Sequence, residues 1–442
     1  MPLRPAENNG LRNEPPNPAP PQPRSQRVRR QLIAQNQRQL NAQPQKGRKR
    51  KIKKRTKGWI KVCTLNMRGR YHNAEDKWMR INQIMRDRKI GILALQETHL
   101  SPNEVDNLHK IFEKTLQIYA TIDPANSQSK GVAIVVNKEI SNIVGIKTNE
   151  LIPGRALHLT IPWHGDSKRT VLAAYSPNDA AENARFLELL EFKTRNLPKP
   201  DFVLGDFNMV EDLIDRLPHH KDPTAVVDAM RNLKARLQLH DGWRHTYPDI
   251  KAYTFLQSAT GSQSRIDRIL VTSDILKNCS DWPIESPGIY TDHQLVSVRY
   301  SDPKMPFIGK GRWVLSLRLL RDEKVMEQVY AVGKEMETRM ENVKNKRTFE
   351  ENPQTIFKNF KDEITTIFRD RDKVLVPKLD KEIRGMKSDL KNMLNNPLMG
   401  DEERKTESAA LQAKIDSTER ARFAKIQTSR RTSTTRSANT AM

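Results

Sequence analysis

The stretch Phe202-Val203-Leu204-Gly205-Asp206-Phe207-Asn208 decides how the rest of the chain is interpreted. Its three leading apolar residues are typical of a buried strand, and the glycine lets the backbone turn where that strand ends. Asp206 and Asn208 stand two positions apart, so both side chains can point the same way from an extended segment. Taken alone, the stretch is equally consistent with a simple turn. Its weight comes from similar strand ends elsewhere in the chain.

Four apolar strand candidates are each followed by polar residues at their ends. These polar residues are Asn66, Glu97, Tyr175 with Asn178, and Asp206 with Asn208. Later in the chain, Asp267 lies inside a strand candidate and Asp292 directly precedes His293. A buried carboxylate needs a partner. Histidine is the obvious partner for Asp267, because a carboxylate on one ring nitrogen fixes the tautomer and leaves the other nitrogen free to act.

This set of residue types suits the hydrolysis of a phosphodiester bond. A carboxylate helped by an amide can hold Mg²⁺, a hard ion that takes oxygen ligands and keeps several waters. The ion neutralises phosphate oxygens, while a second carboxylate orients or deprotonates the attacking water. Neutral amides and a tyrosine donate to the phosphate without adding charge. Each residue alone also has an ordinary explanation as a turn former or surface acid, and the hypothesis depends on their number.

The net charge of +24 is spread unevenly along the 442 residues. Residues 1–57 hold 16 Lys and Arg against 2 acids, residues 58–305 hold 32 against 30, and the remainder holds 29 against 21. Basic arms around a neutral middle indicate a polyanion such as nucleic acid as the partner, with a basic solubilising tail as the alternative. The densest run is typical of a nuclear-localisation signal or a nucleic-acid patch; its basic residues are Lys46, Arg48, Lys49, Arg50, Lys51, Lys53, Lys54 and Arg55.

The chain has only two cysteines, Cys63 and Cys279, which argues against a disulfide framework and against a cysteine-based zinc site. No apolar run approaches the roughly 18–20 residues that span a bilayer, and the N-terminus has no signal-peptide core. We therefore expect a soluble intracellular protein, no membrane contact, and, from the basic run, a nuclear location.

The pattern predicts three regions. Residues 1–57 form a disordered basic arm, rich in Pro, Asn, Gln and Arg. Residues 58–305 contain the alternating strands and helices of one α/β domain, without a strict βαβ rhythm. They predict a four-layer α/β sandwich, in which two mostly antiparallel sheets lie face to face with helices outside. Residues 306–442 form a helical, basic extension whose apolar stripes recur at steps of three and four, and are packing faces and a candidate surface for a protein partner.

Within residues 58–303, six short motifs together resemble the endonuclease/exonuclease/phosphatase superfamily, which includes DNase I and exonuclease III. They are Thr64-Leu65-Asn66, Leu95-Gln96-Glu97-Thr98, Ala174-Tyr175-Ser176-Pro177-Asn178, Gly205-Asp206-Phe207-Asn208, Ile266-Asp267 and Thr291-Asp292-His293. Further motifs resemble the endonucleases of LINE-type, non-LTR retrotransposons: Asp241-Gly242-Trp243-Arg244, Tyr247-Pro248, and Tyr253-Thr254-Phe255 followed by Ser264-Arg265-Ile266-Asp267. Gly311-Arg312-Trp313 and the helices after it resemble the linker that precedes the reverse transcriptase of those elements.

The resemblance implies a role for each motif residue. Glu97 would be the main Mg²⁺ ligand, with Asn66 and Asp292 close by and Mn²⁺ as a substitute ion. Asp206 would position or activate the water, helped by Asn208. His293, held by Asp267, would contact the scissile phosphate, and Tyr175 with Asn178 would complete the phosphate cradle. Whether His293 or Asp206 is the general base stays open.

One departure from the family pattern concerns Arg68. Members that repair abasic sites often carry an acid two residues after the first Asn, where this chain has Arg68. The departure disfavours an abasic-site enzyme and a second metal ion. We find no reverse transcriptase in the sequence, and expect a fragment of an element or a domesticated gene.

The leading hypothesis is a Mg²⁺-dependent DNA endonuclease that nicks one strand. The alternatives are an abasic-site repair endonuclease, a small-phosphoester phosphatase, which the basic arms disfavour, and an inactive DNA-binding remnant.

The segment from Leu256 to Gln263 is too polar to be core and is flanked by strand candidates. It predicts a hairpin loop that leads into the strand bearing Asp267 and projects beside the active site. Small polar residues suit entry into a DNA groove, where shape and deformability are recognised. Gln257, Ser258 and Gln263 are the candidate DNA contacts in this loop, with an ordinary solvent loop as the alternative.

Overall fold

A computed structural model describes residues 56–69, 74–126, 128–305, 307–308, 315, 319–320, 322–344, 346–375 and 377–439. Residues 1–55 of the predicted N-terminal arm, which include its basic run from Lys46 to Arg55, and Gly311–Trp313 lie outside these residues. The last two residues of the predicted arm, Thr56 and Lys57, form a short strand, so the arm ends two residues earlier than predicted. Within this part of the chain, no helix is both long enough and apolar enough to cross a membrane.

Eighteen strands are present in the described residues, many of them only two residues long. In chain order, β1 to β18 are Thr56–Lys57, Ile60–Asn66, Ile90–Gln96, Leu116–Thr121, Val132–Asn137, Lys147–Ile152, Ala156–Pro162, Lys168–Tyr175, Phe202–Asp206, Arg216–Leu217, Leu239–Asp241, Phe255–Leu256, Gln263–Ser264, Asp267–Thr272, Cys279–Ser280, Ile284–Glu285, Leu295–Tyr300 and Phe307–Ile308.

The α-helices of the same residues fall into two groups. Those of the predicted α/β domain, α1 to α6, are Ala74–Asp87, Pro102–Ile111, Ala180–Lys193, Thr224–Leu237, Gly242–Thr246 and Ser273–Leu276. Those that follow it, α7 to α10, are Glu323–Asn342, Pro353–Leu375, Pro377–Leu394 and Asp401–Asn439.

Two large sheets form the centre of the molecule. One has six strands in the order β11-β14-β9-β8-β7-β6. The other has seven, in the order β15-β17-β2-β3-β5-β4, with β16 also paired to β17. Within these two sheets only β2 with β3 and β8 with β9 run parallel, and the other pairs are antiparallel. The predicted pair of mostly antiparallel sheets is confirmed.

Three apolar layers hold the sandwich together. Alternate residues of both sheets, such as Val62, Ile92, Ala173 and Leu204, form the core between them. The outer face of the seven-stranded sheet is covered by α1 and α2, whose Trp78 and other apolar residues pack on it. The outer face of the six-stranded sheet is covered by α3 and α4. The architecture is therefore the predicted four-layer α/β sandwich.

Several elements were missed or misplaced from the sequence. Helix α2 was not predicted, although Ser101 and Glu104 form a capping box in which the Ser101 N–H donates to Glu104 Oε2 at 2.8 Å. Strand β6 was missed because it is a largely polar strand at the edge of its sheet. Of the strand candidate that precedes the polar segment Leu256–Gln263, only Phe255–Leu256 (β12) is regular. The Thr254 N–H donates to Ser264 O at 2.9 Å, and Thr254 O accepts from the Gln294 N–H at 2.7 Å.

The last two helices, α9 and α10, pack against the α/β domain. Leu394 of α9 contacts Leu217 and Tyr253 in a buried apolar cluster. The Asn395 side chain accepts from the Lys251 N–H at 2.9 Å. These contacts bring α10 alongside the hairpin formed by β12 and β13, next to the site described below.

Candidate active site

The polar strand ends meet at one edge of the sandwich because of two features of the topology. In the parallel pairs, the carboxyl ends of neighbouring strands lie side by side, so that Asn66 pairs with Gln96 and Tyr175 with Asp206. The antiparallel strands β14 and β17 begin where their neighbours end, which places Asp267 opposite Asp206 and brings the residues before Leu295 beside the end of β2.

Left-handed backbone conformations cluster at this edge. Arg68, Glu97, His99 and Asn208 have φ between 48° and 50°, and each follows the end of a strand that reaches the site. Such a φ costs a non-glycine residue on the order of 1 kcal/mol or more, so it persists only where surrounding contacts fix it. Four of the eight described non-glycine residues with positive φ therefore lie at this edge.

Glu97, Asn66 and Asp206 form a continuous hydrogen-bonded chain. The Asn66 side-chain amide donates to Glu97 Oε1 at 2.8 Å and to Asp206 Oδ2 at 2.9 Å. The amide thus holds two carboxylates from opposite sheets near each other. Asn66 Oδ1 accepts from the Arg68 N–H at 2.9 Å, so in this arrangement Asn66 presents its nitrogen rather than its oxygen to the acids.

Tyr175 joins the same chain through its hydroxyl, which donates to Glu97 Oε1 at 3.0 Å. Burial and the charges of Glu97 and Asp206 raise the pKa of Tyr175 well above its usual range. The hydroxyl therefore stays protonated at neutral pH and acts as a hydrogen-bond donor.

His293 and Asp267 form the buried pair that the sequence predicts. His293 Nδ1 lies 2.8 Å from Asp267 Oδ2, while Nε2 lies 4.0 Å from Asp206 Oδ2 and 3.9 Å from Asp292 Oδ1. Burial alone would lower the pKa of His293. The charge and hydrogen bond of Asp267, with the charges of Asp206 and Asp292, outweigh burial and raise that pKa to about 9.

Asp206 is the buried carboxylate at the centre of the group. Burial, followed by the charge of Asp267, raises its pKa to about 7, and the His293 charge and the Asn66 hydrogen bond oppose the rise. A carboxyl that titrates near neutrality can accept a proton during a reaction. The pair of His293 and Asp206 therefore has the properties of an acid and a base placed together.

Two groups of side chains at this edge offer metal ligands. Asp206, Asp267 and His293 have ligand atoms within 4.8 Å of one another, but all three are buried and His293 Nδ1 is already engaged by Asp267. Glu97 and Asp292 are instead partly open, with side chains 24% and 18% exposed. Open carboxylates suit a hard divalent ion that keeps waters, so the chemistry of this second pair fits the metal that the sequence predicts.

The other predicted site residues lie nearby. The Asn208 side chain donates to Ser176 O at 2.8 Å, and its backbone N–H donates to Asp206 Oδ1 at 3.0 Å, so it fixes the strand end that carries Asp206. Asn178 lies just beyond β8, with an exposed side chain.

The predicted hairpin is present and emerges next to His293. Strands β12 and β13 pair antiparallel, and the ring of Phe255 lies 4.9 Å from that of His293. Gln257 and Ser258 are exposed at its tip. Gln263, however, is buried, and its amide donates to Ser408 Oγ of α10 at 2.6 Å. A DNA contact by Gln263 is not supported in this arrangement, because the side chain faces the helix.

An ion-pair network beneath the site was not foreseen. Arg265 is buried and donates to both oxygens of Asp215 at 2.7 Å and to Asp241 Oδ2 at 2.8 Å. Arg268, also buried, donates to Glu211 Oε2 at 2.8 Å. These arginines flank Asp267 in sequence and fix its strand. The sequence gives no signal that Arg265 and Arg268 are buried, because arginine is almost never fully buried unless it is paired.

Three further residues at the site were not predicted. Lys77 is buried and its ammonium donates to Met67 O and, at 2.8 Å, to Gly69 O. His99 Nε2 lies 4.0 Å from Glu97 Oε2. Arg68 Nη1 lies 3.1 Å from Asp292 Oδ2. The sequence carried a signal for Arg68 alone, as a departure from a family pattern.

Comparison with known proteins gives one family match and one curated relative. The model of the endonuclease/exonuclease/phosphatase family matches residues 63–302. The "Transposon TX1 uncharacterized 149 kDa protein" of Xenopus laevis is 28% identical over 270 residues, which are 60% of this chain and 20% of the relative. The chain therefore spans about a fifth of the length of that curated relative.

Among solved structures, the AP endonuclease LMAP from Leishmania major is similar at 17% identity and a TM-score of 0.47, over 55% of this chain and 88% of that one. The endonuclease domain of TRAS1, a telomere-specific non-LTR retrotransposon, is similar at 18% identity and a TM-score of 0.41, over 55% and 100%. An AP endonuclease from Archaeoglobus fulgidus has 19% identity and a TM-score of 0.44, over 55% and 100%. Identities this low carry no information about substrate.

Proposed function

The chain belongs to the endonuclease/exonuclease/phosphatase family, and from that membership we propose that it is a DNA endonuclease that nicks one strand of a duplex with the help of a divalent metal ion. The observation that carries the proposal is the buried pair of His293 and Asp267 beside Asp206, joined through Asn66 to Glu97. This arrangement supplies an acid, a base and an open carboxylate at one point.

DNA as the substrate is supported by charge and by kinship. The net charge of +24 is concentrated outside the α/β domain, which is the distribution expected for a protein that holds a polyanion by its arms. The curated relative is a transposon protein, which favours an origin in a mobile element. The basic run from Lys46 to Arg55, together with DNA as the substrate, supports a nuclear location.

The side chains divide the chemistry between them. Asp206, with a pKa near neutrality, orients the attacking water and accepts its proton. His293 Nε2 donates to the phosphate, because Asp267 occupies Nδ1 and keeps the ring charged. The Tyr175 hydroxyl stays protonated and adds a neutral donor.

Glu97 and Asp292 would hold the divalent ion, for which Mg²⁺ is proposed and Mn²⁺ is the expected substitute. When bound, such an ion neutralises phosphate oxygens and stabilises the leaving oxygen. Tyr175 and Asn66 both donate to Glu97 Oε1 and so fix the orientation of this carboxylate.

A plasmid assay tests the proposal. Supercoiled DNA incubated with the full chain and Mg²⁺ should become nicked circles, and EDTA should stop the conversion. A duplex with a single abasic site and its intact counterpart should be cut at similar rates. Strong preference for the abasic duplex would replace the proposal with a repair function, and no nicking with either metal would favour an inactive DNA-binding remnant.

Deleting residues 1–55, which leaves β1 in place, should weaken DNA binding and flatten its dependence on salt. Each phosphate that the arm neutralises contributes about 0.9 to the slope of log K against log salt. The nicking rate at saturating DNA should change little. Binding isotherms at several salt concentrations measure the slope, and an unaltered slope would assign the arm to localisation or spacing.

Shortening the hairpin tip at Ser258–Thr260 should redistribute the nick positions and leave the metal dependence unchanged. The tip is exposed beside His293, whereas Gln263 must be kept because it anchors the hairpin on α10. Sequencing the nicked ends of one plasmid compares the patterns. The same shortening in the turn at 164–166, between β7 and β8 at the far end of β8, is the control, and identical patterns for both variants would contradict a DNA contact.

A further inference from the structure

Arg68 stands in a backbone conformation that its neighbours impose. Its φ is +50°, in the left-handed region that a non-glycine residue adopts only when held there. On one side of it, the Met67 N–H donates to Gln96 O at 3.0 Å. On the other side, the Gly69 N–H donates to Glu97 O at 2.7 Å. The loop is thereby tied to the end of the strand that presents Glu97.

Lys77 fixes the same loop from below. Its side chain is buried, and its ammonium donates to the carbonyl oxygens of Met67 and Gly69, on either side of Arg68. A buried ammonium is costly unless it is paired or hydrogen-bonded. By binding the carbonyl oxygens on both sides of Arg68, Lys77 fixes the backbone from which the Arg68 side chain projects.

The Arg68 side chain contacts Asp292 and is open to solvent. Nη1 lies 3.1 Å from Asp292 Oδ2, and the Arg68 side chain is 55% exposed. An arginine has five N–H donors in a planar fork that matches a phosphate. An ion pair this exposed is worth little, because water screens it. The guanidinium can therefore exchange Asp292 for another anion at small cost.

The charges around Arg68 favour a phosphodiester as the anion that replaces Asp292. Four carboxylates lie at this edge, Glu97, Asp206, Asp267 and Asp292, and a phosphodiester that approaches them needs compensating positive charge. We propose that Arg68 is a catalytic residue that leaves Asp292 and donates to a non-bridging oxygen of the scissile phosphate when DNA binds. This inference rests on the proposed function and adds a substrate contact to it.

Two variants, R68M and R68K, test the contact. In the absence of DNA, R68M should bind Mn²⁺ more tightly than the parent, because a positive charge 3.1 Å from Asp292 has been removed. Its single-turnover nicking rate should nevertheless fall by about 10²-fold, the effect of losing one donor to developing charge. R68K should recover part of that rate. Opposite effects on metal affinity and rate are not expected of a residue that only supports the fold.

Arg86 provides a matched control. Its side chain is 49% exposed and lies 4.0 Å from Glu139, but at the last turn of α1, at the opposite end of the sheet. R86M should keep the parental rate and the parental Mn²⁺ affinity.

The outcomes separate this inference from the function on which it rests. If the parent nicks DNA and R68M nicks it equally fast, the inference is overturned and the function stands. If R68M binds Mn²⁺ more weakly and also unfolds at a lower temperature, Arg68 only braces Asp292, and the inference is again overturned. A parent that does not nick DNA overturns the proposed function and the inference together.

Discussion

Replacing Glu97 with glutamine should lower nicking by at least about 10³-fold at ordinary Mg²⁺ concentrations. The amide has nearly the same shape and can still accept from Asn66 and Tyr175 through its oxygen. It lacks the charge that holds the ion, and an ion in such a site supplies several kcal/mol of transition-state stabilisation, at about 1.4 kcal/mol for each factor of ten. DNA affinity should stay near the parental value, because most of the positive charge lies elsewhere.

The measurement is the single-turnover rate on supercoiled plasmid across a Mg²⁺ titration. Glu139→Gln is the control, since Glu139 is an exposed acid at the opposite end of the same sheet. A Glu97→Gln protein that nicks at the parental rate would remove Glu97 from the metal site. If the nicking rate of the Glu97→Gln protein recovers at high Mg²⁺, another residue, such as Asp292, is the main ligand of the ion.

Replacing His293 with alanine should lower the nicking rate by at least about 10²-fold, the lower end of what a positioned acid or base supplies.

Replacing Asp267 with asparagine should also slow the reaction and should change its pH dependence. Asp267 raises the pKa of His293, to about 9, and contributes after burial to raising the pKa of Asp206, to about 7. Without its charge both pKa values fall.

The direction of the pH effect follows from those two changes. The acidic limb reports the loss of the Asp206 proton, so a lower pKa moves that limb to lower pH. The alkaline limb reports the loss of the His293 proton, so it also moves to lower pH. The whole bell-shaped profile of the Asp267→Asn protein should therefore shift to the acidic side. Single-turnover rates from acidic to alkaline pH measure this shift. If both limbs stay in place, Asp267 does not set the pKa of His293 or of Asp206.

The fold was largely predictable because most of the buried strands contain an apolar run that is followed by a turn signal. Phe202–Leu204 is one such run. Asp206 lies just after it, at the strand end, where a polar residue can face the site. The pairing of Asp267 with His293 was also predictable, since a carboxylate inside an apolar strand needs a partner. These inferences use only the residue types and their order.

The parts that were missed depend on contacts between distant segments. Arg265 and Arg268 resemble surface residues in sequence, and their burial depends on acids far away in the chain, Asp215, Asp241 and Glu211. Gln263 belongs to a polar loop, yet it is turned inwards by Ser408, which lies in a helix far along the chain. Sequence spacing carries no information about such partners.

The pairing of β2 with β17 has a consequence for how the protein is made. Thr64 lies opposite Val296, so one edge of β2, the first strand of the seven-stranded sheet in chain order, stays uncovered until β17 has been made. Contacts this distant in sequence fold slowly, because a long loop must close before they form. Asn66 and His293 therefore come together only after the whole domain has left the ribosome. The basic residues before Thr56 are therefore synthesised well before the two halves of the site can meet.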